Sequence, residues 1–197
     1  EISNDEWWQN NSEKTIEEIE IDVWEEWRPG IWDAGYLLFF DDSGRYKDFL
    51  EFYTKAMLTE SPLERNSRFC VCLETLIRRS DGISHHLTTR TPLLAVWNSP
   101  YSTPPEGMPS NEEQNSILAQ TVKQAWKIRS KFWHGQTLDS SIHDSLMDCL
   151  SEWPAILNQI NLGLMVLGRV PSDEEFERSI ENGKLDWEYP KLWTDHN

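Results

Sequence analysis

Hydrophobic residues recur every three or four positions through most of the chain beyond residue 46. This spacing places apolar side chains on one face of an α-helix. The pattern predicts helices from Lys47 onward, over 63–79, 84–97, 111–133 and 140–168, and a short one beginning in "SDEEFERSI" at 172–180. The residues predicted to face the core are Phe49, Phe52 or Tyr53, Ala56, Met57, Phe69, Cys72, Leu73, Leu76, Ile117, Leu118, Thr121, Val122, Ala125, Ile128, Ile142, Leu146, Cys149, Leu150, Trp153, Leu157, Ile160 and Leu164.

Proline, glycine and capping residues set the predicted limits of these helices. Pro62 opens the second helix, where its missing N–H costs nothing, and Pro92 should kink or split the third. Ser110 or Asn111 should cap the fourth helix, whose first turn is acidic. Gly135 is a suitable residue to end that helix. The fifth helix should bend at its proline, Pro154.

The first 46 residues are acidic and rich in tryptophan. The segment "EKTIEEIEIDVWEEW" (13–27) has helical spacing, whereas "GYLLFFDDSGRY" (35–46) fits either a short buried strand or a helix end. We therefore divide the chain into 1–46, an N-terminal extension or the tail of a preceding domain, and 47–197, a helical domain. The predicted fold class is all-α, an antiparallel helical bundle with an irregular N-terminal segment.

The formal net charge of −16 argues against general binding of nucleic acid. The charge is unevenly distributed: residues 1–64 carry −12, residues 65–140 carry +3 and residues 141–197 carry −7. A locally basic centre within an acidic chain can still bind one phosphate firmly. The charge pattern is equally compatible with ordinary solubility.

Three cysteines are present, at Cys70, Cys72 and Cys149, in a pattern typical of neither a redox pair nor a zinc site. We expect buried reduced thiols and a cytoplasmic protein. No apolar run reaches the roughly 20 residues that span a bilayer, so no membrane is expected among the partners. The chain starts at Glu1 without a basic-then-apolar leader, and we interpret it as a piece of something longer, with a sensor domain upstream as one arrangement.

The segment "KIRSKFWHG" (127–135) raises the main functional question. Basic residues in the last turn of a helix commonly neutralise its exposed carbonyls, so Arg129 and His134 have a simple capping interpretation. An arginine and a histidine are also the residue types that could bind a phosphate and transfer protons in an active site. Five residues of ideal helix separate the two side chains by about 140°. Either an unwound last turn or a second copy of the chain, facing the first across a two-fold axis, would bring them together.

The segment "IRSKFWHG" resembles the R-x4-H-G signature of HEPN domains, the helical domains of prokaryotic defence and toxin ribonucleases. The order of elements is similar to that of the large, Apea-like HEPN type of anti-phage proteins. The matching segments are "RFCVCLETLI" (68–77), "SHHLTTRTPLLAV" (84–96), a proline-rich loop, "AWKIRSKFWHG" (125–135) and the helix over 140–168. One departure is Trp126, where the family often has tyrosine.

The resemblance implies a metal-independent endoribonuclease that needs no cofactor and acts against phage or as an abortive-infection toxin. RNA supplies its own nucleophile, the 2′-OH, so Arg129 would bind the phosphate and His134 would transfer protons. The expected partners are RNA, with tRNA among the candidates, and a second copy that completes the cleft in a homodimer. Within the motif, Lys131 and Ser130 are candidate RNA-binding residues, and an exposed solvated lysine is the plain alternative for the first.

Other candidates have structural alternatives. Glu74 and Arg90 match family positions and are expected either to pair with each other or to steady Arg129, as a structural ion pair. Trp133 is a candidate for base stacking, although core or dimer packing is favoured. His85 and His86 point about 100° apart on a helix with no third ligand in view, which disfavours a metal. The competing functions are a non-catalytic HEPN module for dimerisation or for sensing RNA or nucleotide, and a plain helical scaffold.

Overall fold

The computed structural model describes Leu38 and residues 43–77, 82–99, 102, 109–136 and 140–189. Every regular element in these ranges is helical, as the all-α prediction requires. The elements are α1 (Arg45–Met57), α2 (Pro62–Ile77), α3 (Ile83–Arg90), the 3-10 turns Pro92–Leu94 and Val96–Asn98, α4 (Asn111–Trp133), α5 (Ser140–Leu167) and α6 (Asp173–Asn182). Within the same ranges, no helix is long and apolar enough to cross a membrane.

Local capping explains where the helices begin. Ser110 caps α4 in a reciprocal capping box: its side chain accepts from the backbone N–H of Glu113, whose carboxylate accepts from the N–H of Ser110. Ser172 and Glu175 form the same box at the start of α6. Each box satisfies two backbone donors that the first helical turn leaves without partners. The capping role predicted for residue 110 or 111 therefore belongs to Ser110.

The core lies mainly between α2, α4 and α5, and a buried polar bridge joins these three helices. Asn66 of α2 donates to the carbonyl of Ala125 on α4 at 3.0 Å. The indole N–H of Trp153, on α5, donates back to the Asn66 side-chain oxygen at 2.9 Å. Asn66 and Trp153 are fully buried, so both partners need these bonds. The ring of Phe69 packs against Trp153 with centroids 5.5 Å apart.

Pro92 splits the predicted helix 84–97 into α3 and two 3-10 turns. The turns are tied to the start of α4, where Asn111 donates to the carbonyl of Trp97 at 2.7 Å. They also approach α5 so closely that a Cβ at Gly163 would lie 1.8 Å from the carbonyl oxygen of Leu94. Glycine is therefore required at this buried position.

We expect Gly163→Ala to destabilise the protein by about 3 kcal/mol, because backbone atoms must move to admit the methyl group. Helix propensity alone predicts the opposite sign, a gain of about 1 kcal/mol. Urea unfolding measures the difference. Gly183→Ala is the matched control: that glycine has φ +64° and open space around it, so only backbone strain of about 1 kcal/mol is expected. A stable Gly163→Ala protein would contradict the close approach.

Three sequence predictions are wrong at the edges of helices. Met57 and Ile117 were expected in the core, yet both are exposed, Ile117 by 56%. The first helix begins at Arg45, two residues before the predicted start at Lys47. The predicted inner face of α5 is otherwise correct, apart from Leu150, which is partly buried. Pro154 lies inside one continuous helix.

Predictions for the N-terminal segment fall on residues whose placement is not described. The predicted helix over 13–27 lies outside the described residues. Of the segment 35–46, only Leu38, which is buried, and residues 43–46 are described. The N-terminal segment of the predicted domain division, residues 1–46, therefore stays a prediction.

Candidate active site

Arg129 is held on two sides by its own chain. Its Nη1 and Nη2 atoms donate to the two carboxylate oxygens of Glu74 on α2, the second at 3.3 Å. The guanidinium carbon also lies 4.5 Å from the ring centroid of Trp126, one turn earlier on α4. These contacts fix the plane of the guanidinium. Glu74 engages two of the five N–H donors, and Nε is buried with no partner among the described residues, so donors remain for another acceptor.

Glu74 is therefore the residue that steadies Arg129, which was one of the two arrangements expected from the sequence. Burial raises the pKa of its carboxyl above the ordinary value, and the attraction of Arg129 offsets only part of that increase. The cost of desolvating the carboxylate thus exceeds the gain from the ion pair. We infer that the pair orients the guanidinium more than it stabilises the fold.

We expect Glu74→Gln to change the free energy of unfolding at pH 7 by less than about 1 kcal/mol. Because its folded-state pKa is raised, wild-type Glu74 contributes most stability at acid pH and loses it as the pH rises through that pKa. Glutamine does not titrate, so the stability of wild type relative to the variant should fall as the pH rises over the same range. Urea unfolding across pH measures it. A loss above about 2 kcal/mol at pH 7 would show a strongly stabilising pair.

His134 directly follows the last residue of α4 as its C-cap, and its side chain is exposed. Gly135 follows with φ +65°, and its N–H donates to the carbonyl of Phe132 at 3.1 Å. The N–H of Gln136 donates to the carbonyl of Lys131 at 3.0 Å, which completes a Schellman motif. Gly135 is therefore the terminating residue, as the sequence predicted. The cap uses backbone atoms, so the imidazole of His134 is not needed to end the helix.

The two motif side chains leave the helix in different directions. The N–H of His134 still donates to the carbonyl of Ser130 at 3.1 Å, so helical hydrogen bonding continues to this residue. Arg129 points toward α2, and regular helix geometry directs His134 about 140° away from it. The last turn of α4 is therefore not unwound, so it does not bring Arg129 and His134 together within one chain. The other way, a second copy of the chain, stays a prediction.

Two aromatic side chains project beside His134. Trp133 is 67% exposed and Phe132 is 37% exposed, and their rings meet edge to face with centroids 5.6 Å apart. Core packing, one of the interpretations for Trp133, is therefore wrong. Ser130 and Lys131, the candidate RNA-binding residues, are both partly exposed. The tip of α4 thus presents a cation, an imidazole and two aromatic faces to solvent.

Arg90 takes no part in this group. It is fully buried, and it donates to Asp173 at 2.8 Å and to Glu177, both on α6. Its guanidinium carbon also lies 5.1 Å from the ring centroid of Phe176. Arg90 therefore secures the C-terminal helix, and the expectation that it pairs with Glu74 or steadies Arg129 is wrong. Sequence reasoning missed Asp173 and Glu177, whose only signal is their spacing of four residues.

The three cysteines and the adjacent histidines lie on helices other than α4. Cys70, Cys72 and Cys149 are free and buried, as expected. Burial raises the pKa of Cys149 to about 11, so its thiol stays protonated at neutral pH. His85 and His86 contact each other with ring centroids 5.6 Å apart. Within the described ranges, no three His, Cys, Asp or Glu side chains gather in an arrangement that could hold a metal ion.

Comparison with known proteins identified no relative of this chain. No family model matches the chain, and no curated protein or solved structure matches it. The function is therefore inferred from the motif residues, their exposure and their contacts.

Proposed function

We propose that the protein is a metal-independent endoribonuclease of the HEPN type, acting in the cytoplasm as an effector of anti-phage defence or abortive infection. The observation that supports the proposal is the arrangement of the two motif side chains, Arg129 and His134. Glu74 and Trp126 orient Arg129, whose guanidinium keeps N–H donors for a further acceptor. His134 is exposed at the helix tip, although the helix cap does not need its side chain. A purely structural cap explains neither feature.

The chemistry requires only groups that the chain has. The 2′-OH of the RNA attacks the adjacent phosphorus, the bond to the 5′-oxygen breaks, and the products are a 2′,3′-cyclic phosphate and a 5′-OH. His134 accepts or donates a proton in this exchange, since imidazole titrates near neutrality. Arg129 binds the phosphate oxygens as their negative charge increases. Lys131 and Ser130, on the same helical turn, bind the neighbouring backbone.

A homodimer completes the proposed cleft. In one chain Arg129 faces α2 whereas His134 faces solvent, so a single phosphate at His134 is best reached by Arg129 of a second copy. The exposed Phe132 and Trp133 supply apolar surface beside the cleft. Light scattering at micromolar concentration should show a dimer. A strict monomer would exclude the composite cleft.

The function is tested by incubating the purified protein with total RNA and with tRNA in EDTA. Cleavage should survive chelation and vanish in His134→Ala. RNA that stays intact under every condition, with no toxicity on expression, would contradict the ribonuclease proposal.

The second candidate is a non-catalytic HEPN module for dimerisation or for sensing RNA or nucleotide. Two observations favour it: the net charge of −16, and the carboxylate of Glu74 that already neutralises Arg129. Binding of RNA or nucleotide without cleavage would identify this function.

A further inference from the structure

A row of lysines runs along the exposed side of α4. Lys123, Lys127 and Lys131 follow one another at intervals of four residues, and His134 continues the row at the helix tip. On an α-helix these four positions lie within about 80° of one another and cover about 16 Å along the axis. Lys123 and Lys127 are exposed, and Lys131 is partly exposed. We call Lys123, Lys127 and Lys131 the lysine stripe.

Within the described ranges, no carboxylate forms an ion pair with the lysine stripe. Between Gln114 and Gln136 the sequence contains four bases and no acid. Other cations among the described residues are paired. Lys55 pairs with Glu51 on α1, and Arg68 pairs with Glu64 on α2, each at 2.5 Å. Three unpaired lysines in a row on one helix face form a local positive surface in a chain of net charge −16, and such a surface suits an anionic ligand.

The positive surface along the lysine stripe is narrow, because acidic residues lie on the helix beside it. The neighbouring helix α5 carries the exposed acids Asp144, Asp148 and Glu152 and no base. Asp148 and Glu152 line an open groove of about 250 Å³ between α4 and α5. A second phosphate chain placed over this groove would be repelled. The positive surface therefore suits one phosphate chain better than the two of a duplex.

We propose that single-stranded RNA lies along α4, with successive phosphates on the lysine stripe and the scissile phosphate at His134. The inference depends on the ribonuclease function proposed above, and it extends the site from the motif to Lys123 and Lys127. The interval of about 6 Å between successive lysines is close to the spacing of phosphates in an extended single strand. At the tip, Trp133 offers an exposed ring on which an unpaired base stacks, which a paired base cannot do.

The test compares two triple variants of the full chain. In the first, Lys123, Lys127 and Lys131 are all replaced by glutamine. In the matched control, the exposed lysines Lys47, Lys55 and Lys184, which lie outside α4, are replaced in the same way, so both variants lose the same charge. Thermal unfolding checks that both remain folded.

Binding is measured with a fluorescent single-stranded oligonucleotide that carries 2′-O-methyl groups and so cannot be cleaved. The stripe variant should bind about tenfold more weakly at physiological salt, and its log–log salt slope should be about 2 units shallower. The control variant should bind like wild type. Unlabelled duplex should compete poorly. A stripe variant that binds like wild type, or a duplex that competes as well as the single strand, would overturn the inference.

Cleavage assays separate this inference from the ribonuclease proposal. A double variant that keeps the motif residue Lys131, with only Lys123 and Lys127 replaced by glutamine, should cleave a dinucleotide, which has only the scissile phosphate, at the wild-type rate. KM for a long single strand should rise both in this double variant and in the stripe variant. Wild-type KM for the long strand in the stripe variant would overturn the stripe and leave the ribonuclease standing. Binding that depends on the stripe, with no cleavage by wild type, would support the stripe and overturn the ribonuclease.

Discussion

Replacing His134 with alanine should lower the rate of RNA cleavage by about 10²–10⁴-fold, the usual contribution of a positioned acid or base. The effect should appear in the single-turnover rate at saturating protein, because the imidazole transfers protons and contributes little to RNA binding. The fold should not change, since the Schellman motif that ends α4 uses backbone atoms of this segment. Quenched cleavage of a labelled single strand measures the rate.

His143→Ala is the matched control for this experiment. His143 is also exposed and lies only nine residues further along the chain, on α5, outside the motif. Its replacement should leave the cleavage rate unchanged. If both alanine variants cleave RNA at the wild-type rate, the proton-transfer role of His134 is wrong.

Replacing Arg129 with lysine should lower the cleavage rate about 100-fold, even though the charge is kept. The guanidinium offers donors to Glu74 and to a phosphate at the same time, whereas an ammonium is one point charge that Glu74 alone can occupy. Lysine also loses the contact between the guanidinium and the ring of Trp126. The free energy of unfolding should change little, since an ion pair with Glu74 remains.

Arg68→Lys is a suitable control, because Arg68 also pairs with a carboxylate, that of Glu64, but lies on the exposed side of α2. Cleavage by this variant should equal that of wild type. Arg129→Lys protein with an unchanged rate would mean that Arg129 is a structural residue.

Much of the helical fold was predictable because its signals are local. Ser110 with Glu113, Pro92 and Gly135 each limit a helix through atoms within a few residues. The errors at Met57 and Ile117 have a common cause. Helical periodicity locates the centre of an apolar face, but whether a residue at its edge or near a helix end is covered depends on how far the neighbouring helix extends.

The candidate site was predictable to the extent that it is contained in α4. The stacking of Arg129 on Trp126 follows from a spacing of three residues, and the end of the helix follows from Gly135. The partners of Arg90 were not predictable, since they lie on a helix more than 80 residues away and are set by how α3 and α6 cross. The spacing of the lysine stripe is visible in the sequence, but the positions of the neighbouring helices were needed to show that no described carboxylate pairs with it.

The most direct test of the central claim is the chemistry of the RNA ends that the wild-type protein leaves in EDTA. Attack by the 2′-OH predicts a 2′,3′-cyclic phosphate on one fragment and a 5′-OH on the other, with no cut where the scissile nucleotide is 2′-deoxy. Fragments with 5′-phosphate ends, cleavage at the deoxy position, or cleavage that stops on chelation would contradict a ribonuclease built on Arg129 and His134.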